Sequence, residues 1–225
     1  MNETKDKLFG IIGHDLRAPV VDLINTITLL EYTHTSAGQL PALSSSLRKK
    51  AITFQTILNN LLYWAFSQRR LLRANPKTVS LKNTVEEALD LLKGLMQQKS
   101  LHTEWFTDSS ALIYADENHV QIILYNVIHN AIKFSPHNSA VQIVITPEPS
   151  YVVLRLTNKG EKFEWEGTLT KPIPAVSHRG TLGEKGTGLG LLVCAELMKL
   201  NKGKIRAYQA SMEGTTLELI FPRPS

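Results

Sequence analysis

Apolar side chains in the first 75 residues recur at intervals of three and four. Leu8, Ile12, Leu16, Val20, Leu23, Ile27 and Leu30 form one series, and Leu43, Leu47, Ala51, Phe54, Leu58, Leu61, Ala65 and Leu72 form a second. That period places each series on one face of a helix. Gly38 suits the end of the first helix, and Pro41 suits the first turn of the next. Further apolar residues (Ile11 and Ile24, then Ile57, Leu62 and Phe66) widen both faces. Two helices cannot cover faces that wide. Two hairpins paired as a four-helix bundle can, so the pattern predicts a homodimer.

The pattern changes at Asn75–Pro76, which sets a boundary between a helical domain, 1–75, and a second domain, 76–225. In the second, residues 82–98 read as a helix with Val85, Ala88, Leu89, Leu92 and Met96 on one face. Strand-like runs follow at His102–Phe106 and Ala111–Tyr114. Asp116 can cap a helix over Glu117–Phe134, which Ser135–Pro136 ends. Ala140–Thr146 and Tyr151–Thr157 read as strands on either side of a Pro147–Ser150 turn. A glycine-rich stretch, a helix over Leu189–Leu200 and strands at Lys204–Ala210 and Thr215–Phe221 complete the chain. Strands that do not alternate regularly with helices predict an α+β layer, with helices on one face of a mixed sheet.

Composition narrows the class. Of 225 residues, 43% are apolar and 20% charged, a balance that excludes a disordered or collagen-like chain. The single cysteine, Cys194, excludes a disulfide framework and a multi-cysteine zinc site, and fits a reducing compartment. No run approaches 18 apolar residues and the start lacks a signal peptide, so the expectation is a cytoplasmic protein. The net charge of +5 is uneven, with nine Lys/Arg against five Asp/Glu in residues 1–75. Arg48, Lys49, Lys50, Arg69, Arg70 and Arg73 lie on separate turns rather than in a stripe. They read as a solvated helix face, and no nucleic-acid partner is expected.

Three segments carry candidate chemistry. His14 points almost opposite the centre of the first apolar stripe, hence to solvent, with Asp15 beside it and Pro19 placed to bend the helix. An exposed imidazole held by a carboxylate at one ring nitrogen can attack with the other, although the same residues also fit an ordinary surface histidine. On the second domain's middle helix, Asn126, Asn130 and Lys133 share a face. Two amide oxygens and an ammonium suit Mg²⁺ and phosphate oxygens, and equally suit a plain polar face. His129 lacks a metal partner at ligand spacing and reads as a neighbour. The third segment is the run from Gly180 to Leu191, within a stretch 160–190 that holds seven of the 13 glycines. It leads into a helix whose first amides can bind phosphate. It is neither a Walker loop nor a dinucleotide fingerprint, because the required Gly-Lys-Ser/Thr and G-x-G-x-x-G spacings are absent.

Taken in order, these segments resemble the catalytic core of a two-component sensor histidine kinase over nearly the whole chain. His14-Asp15-Leu16-Arg17-Ala18-Pro19 matches the H-box of that family, and Asn126 to Phe134 matches its N-box. Gly186-Thr-Gly188-Leu-Gly190-Leu191 matches its second glycine box, and Gly214-Thr215 also fits. The first glycine box departs from the family pattern. Asn158-Lys159-Gly160-Glu161-Lys162 stands where the family has Asp-x-Gly-x-Gly, so a neutral amide replaces the carboxylate that accepts from adenine. A neutral hydrogen bond is roughly half as strong as a charge-assisted one. A phenylalanine-rich box is also missing, with Phe163 and Trp165 the only candidates.

The resemblance implies a dimerising helical hairpin followed by an ATP-binding α/β sandwich of the Hsp90-like type. By the same resemblance, His14 accepts the γ-phosphoryl group of ATP and Asp15 orients the imidazole and serves as base. Asn130 holds Mg²⁺, Asn126 and Lys133 contact phosphates, and Asn158 with Gly160 meets the adenine. Gly186, Gly188 and Gly190 bring backbone close to phosphate, with Thr215 beside the nucleotide. The phosphoryl group would pass to an aspartate on a separate response-regulator receiver domain, and a membrane tether would have to lie upstream. Two alternatives stay open: a nucleotide-binding scaffold that no longer phosphorylates, and an Hsp90-like ATPase without histidine transfer.

Overall fold

The computed structural model describes residues 73–107, 111–160, 167–168, 180–181, 188–211 and 214–224. It also describes scattered helical positions between Val20 and Tyr63. The chain divides into two compact units, Met1–Gln68 and Arg69–Ser225. In the first, Val20, Val21, residues 23–28, Ser44, Leu47, Ala51, Phe54, Leu58, Leu62 and Tyr63 are all helical. Val21, Ile24, Ile27, Leu58 and Leu62 are exposed within the single chain. The expected turn at 38–41 and about half of each apolar stripe lie outside the described residues, as do His14 and Asp15.

The second unit runs β1 (Lys77–Ser80), α1 (Leu81–Gln98), β2 (His102–Thr107), β3 (Leu112–Ala115), α2 (Glu117–Phe134), β4 (Ala140–Pro147), β5 (Tyr151–Lys159), β6 (Gly167–Thr168), α3 (Leu189–Leu200), β7 (Lys204–Ser211) and β8 (Gly214–Pro222). Six strands form one sheet in the order β2-β4-β5-β8-β7-β6, while β1 and β3 pair as a separate ribbon. Only β2 with β4 is parallel, so the sheet is mixed, as the sequence predicts. Two strands escape the sequence reading. In β1 only Val79 is buried, which leaves no alternation to detect, and β6 is two residues long.

Register explains where the core sits. Ile143 pairs with Leu156, and Leu156 with Leu217; Ile145 pairs with Leu154, and Leu154 with Leu219. With Val141, Val152, Ile205, Ala207 and Phe221 these residues share one face, and all are buried. The period of two makes that face continuous across four strands. Helix α2 packs against α1, α3 and β5, which makes it the central helix of the layer over the sheet. The opposite face carries Arg155, Glu218 and Arg206 side by side. Arg155 Nε lies 2.9 Å and Arg206 Nη1 3.5 Å from the nearly buried Glu218 carboxylate.

The N-terminal end of α2 is fixed by a polar clasp. Asp116 caps the helix by accepting from His119 N (3.2 Å) and also accepts from Asn75 N (2.9 Å). Asn201, at the end of α3, accepts from Asp116 N through Oδ1 (2.7 Å) and donates through Nδ2 to Leu197 O (2.7 Å). The second hydrogen of that amide faces His119 Nδ1 at 3.1 Å. The buried imidazole is therefore neutral, with Nδ1 as the acceptor. Burial lowers the pKa of His119, and the Asp116 carboxylate opposes that shift without cancelling it. Burial alone would raise the pKa of Asp116, but the backbone N–H groups of Asn75 and His119 outweigh it and hold the pKa down.

Both groups bind protons less readily folded than unfolded, so stability is lost on the acid side. The contribution of His119 is complete above its ordinary value of 6.5 and declines as pH falls through the depressed folded value. We predict that the urea midpoint drops between pH 7.5 and pH 5.5, and that His119→Gln flattens this dependence. An unchanged slope in the variant would remove His119 from the clasp.

Candidate functional site

The polar face of α2 meets the start of α3. Asn126 is buried in α2, and its Nδ2 donates to Ile122 O at 2.9 Å. Its Oδ1 points at Gly190, where an added Cβ would lie 2.8 Å away. Glycine at Gly190 therefore lets the two helices close without displacing the Asn126 amide. Gly188, at the N-cap of α3, has φ 67° and ψ −4°, the left-handed region that side chains avoid. A helix start of this kind carries partial positive charge suited to phosphate.

One turn beyond Asn126, Asn130 is half-buried, and Lys133 follows in the last turn, almost fully buried. The Lys133 ammonium sits 4.7 Å from the centroid of the Phe134 ring, a cation–π distance. His129 stacks on Tyr125 with ring centroids 6.0 Å apart, which gives it a packing role on this helix.

The end of β5 closes the other side. Asn158 is the next position after Leu154 and Leu156 on the helix-facing side of the sheet, so a buried amide stands where the apolar face ends. Its Nδ2 donates to Lys159 O at 3.2 Å, and it pairs in register with the buried Thr215 of β8. A Cβ on Gly214 would come within 2.9 Å of Asn158 O, and one on Gly160 would collide with Phe134 O. The structure therefore brings Asn126 to Gly190, the last turn of α2 to Gly160, and Asn158 to Gly214 and Thr215. His14, Asp15 and Gly186 lie outside the described residues, as do Phe163 and Trp165.

Two residues of this neighbourhood were not legible in the sequence. Lys99 lies in the polar run Gln97-Gln98-Lys99-Ser100 and reads as a solvated helix end, yet only 2% of it is exposed. Thr181 sits inside the glycine-rich run with nothing to distinguish it, and its backbone N–H donates to Lys133 O at 3.2 Å.

Among the described residues no three His, Cys, Asp or Glu side chains gather at metal-binding distance. A divalent cation here would rest on amide oxygens of α2 and on oxygens brought by a phosphorylated ligand, and this hard, neutral donor set fits Mg²⁺. Cys194 is fully buried, with its thiol pKa pushed well above the ordinary range by desolvation, so it takes no part as a nucleophile. No described helix is long and apolar enough to cross a membrane.

Residues 115–225 match the family of histidine kinase-, DNA gyrase B- and HSP90-like ATPases. The chain is 24% identical over 233 residues to sensor protein VanSC of Enterococcus gallinarum, covering 99% of this chain and 62% of that protein. Among solved structures, the Acinetobacter baumannii histidine kinase AdeS aligns with TM-score 0.68 at 21% identity, covering 94% of this chain and 98% of that one. Histidine kinase ThkA, solved in complex with response regulator protein TrrA, aligns with TM-score 0.63 at 16% identity, covering 97% and 61%. At these identities the structural matches show the fold. The chain spans less than two thirds of the length of the curated relatives it matches.

The two close glycine contacts differ in kind. An alanine at position 160 meets a backbone carbonyl that cannot rotate away, and overpacking of that kind costs roughly 1–3 kcal/mol. An alanine at position 190 meets the side-chain oxygen of Asn126, which can turn aside at the expense of its bond to Ile122 O. Gly160→Ala should therefore lower the urea midpoint more than Gly190→Ala, while Gly190→Ala shifts the Asn126 side-chain amide resonances. The reverse order of stabilities would contradict this packing.

Proposed function

We propose that the chain carries the catalytic region of a sensor histidine kinase and that it transfers the γ-phosphoryl group of ATP to His14 and thence to an aspartate of a response-regulator receiver domain. The observation that carries this reading is the meeting of the Asn126–Asn130–Lys133 face of α2 with the glycine-flanked start of α3. A polyphosphate lying there is met by helix amides and an ammonium, and Asn158 at the end of β5 offers an amide to the base. Asn130 holds Mg²⁺, which when bound offsets phosphate charge. Asp15 orients the His14 imidazole and accepts its proton as the other ring nitrogen attacks phosphorus and ADP departs. Positioning and charge stabilisation dominate such a transfer.

Residues 1–75 form the dimerising phosphoacceptor domain and 76–225 the ATP-binding domain in this proposal. The exposure of Val21, Ile24, Ile27, Leu58 and Leu62 in one chain supports a second hairpin covering them. A cytoplasmic site of action follows from the same reading, because ATP and the receiver domain are found there. One observation favours a second reading. The neutral Asn158 offers the base a weaker hydrogen bond than a carboxylate would, which suits a nucleotide-binding scaffold that no longer transfers phosphate.

Incubation with γ-labelled ATP separates these. The expected result is acid-labile, base-stable label on the protein that disappears in His14→Gln and falls at least about tenfold in Asn130→Asp with an unchanged circular dichroism spectrum. Phosphate release without label would instead identify an ATPase, and nucleotide binding with neither would identify the scaffold. Sedimentation at micromolar concentration should give about twice the 25.1 kDa chain mass. A monomer there would overturn the bundle.

A further inference from the structure

The last turn of α2 presents its carbonyl ends beside the face just described, and a helix C-terminus carries partial negative charge that repels phosphate. Each of these groups has a neighbour. Ser135 donates to Ala131 O through its N–H (3.1 Å) and through Oγ (2.7 Å). The ammonium of Lys99, contributed by the turn after α1, reaches Ile132 O at 3.0 Å, Lys133 O at 2.7 Å and Thr181 Oγ1 at 2.7 Å. Thr181 Oγ1 also lies 2.8 Å from Ser135 O. One buried cation thus ties together the end of α1, the end of α2 and a residue of the glycine-rich run.

Burying an ammonium is costly, and a methionine of similar length would fill the same space at lower cost. What methionine lacks is the charge at the helix end and the three donors. We propose that Lys99 is a positioning residue for nucleotide binding: it offsets the negative end of α2 and fixes Lys133 and Thr181 in place, so that the face bearing Asn126, Asn130 and Lys133 accepts a polyphosphate. Lys99 itself does not touch the nucleotide. The inference rests on the nucleotide site proposed above.

Three variants test it in the full chain, with Mg²⁺–ADP binding by calorimetry, autophosphorylation kinetics and urea midpoints as readouts. Lys99→Met should weaken Mg²⁺–ADP binding about tenfold and raise the KM for ATP in proportion, with kcat little changed. Lys99→Arg, which keeps charge and donors, should recover most of that loss. Thr181→Val removes only the hydroxyl, so it should raise the dissociation constant roughly threefold while lowering the urea midpoint less than Lys99→Met does. If Lys99→Met does not fold, the Thr181→Val and Lys99→Arg results decide. Wild-type affinity in Thr181→Val and Lys99→Met would overturn the proposal, as would a silent Thr181→Val beside an affinity loss that Lys99→Arg fails to restore. A wild-type chain that binds no nucleotide would remove the site itself, a result distinct from either.

Discussion

The carbonyl of Phe134 rests against the α-carbon of Gly160, with no room for a methyl group between them. This contact sets the distance between the end of α2 and the end of β5, and the rest of the site inherits its spacing. Because Gly160 follows Asn158 by two residues, the same contact fixes how far the Asn158 amide stands from Lys133. The second close approach, Gly190 against Asn126, sets the distance between α2 and the start of α3. A side chain at Gly160 would push the central helix away from β5, whereas one at Gly190 would displace the Asn126 amide first.

Between those two contacts α2 is held at both ends by buried polar groups rather than by apolar packing alone. Asp116, His119 and Asn201 bind its start to the end of α3, and Lys99 binds its finish to the turn after α1 and to Thr181. Apolar packing is tolerant of small slides, whereas hydrogen bonds of about 3 Å are directional and fail when a helix shifts by a fraction of a turn. The helix that carries three of the proposed nucleotide contacts is thus held in register along its axis at both ends.

Much of this was legible in the sequence because it follows from periodicity and capping. The span of α2 emerged from Asp116, Ser135 and Pro136, and β4 and β5 from the strand-like runs on either side of the Pro147–Ser150 turn. The polar face of α2 and the glycine-rich approach to α3 were visible as patterns, and their order along the chain carried the resemblance. Long-range partners were not visible. Lys99 sits in a run of polar residues, and only the fold brings it beneath a helix 33 residues away. His119 likewise looks like an ordinary first-turn residue until Asn201 is folded against it. Short strands with one buried residue, such as β1, leave no pattern to read.

The central claim is that nucleotide lies along the Asn126–Asn130–Lys133 face, between the start of α3 and the end of β5. Titrating the isotopically labelled chain with Mg²⁺–ADP while recording amide nitrogen–proton spectra tests it most directly. The account predicts the largest shifts at Asn126, Asn130, Lys133, Asn158, Gly160, Gly188 and Gly190, with the Arg155–Glu218–Arg206 face and the β1–β3 ribbon little changed. Shifts concentrated on that face or ribbon, with α2 and the start of α3 unmoved, would contradict it.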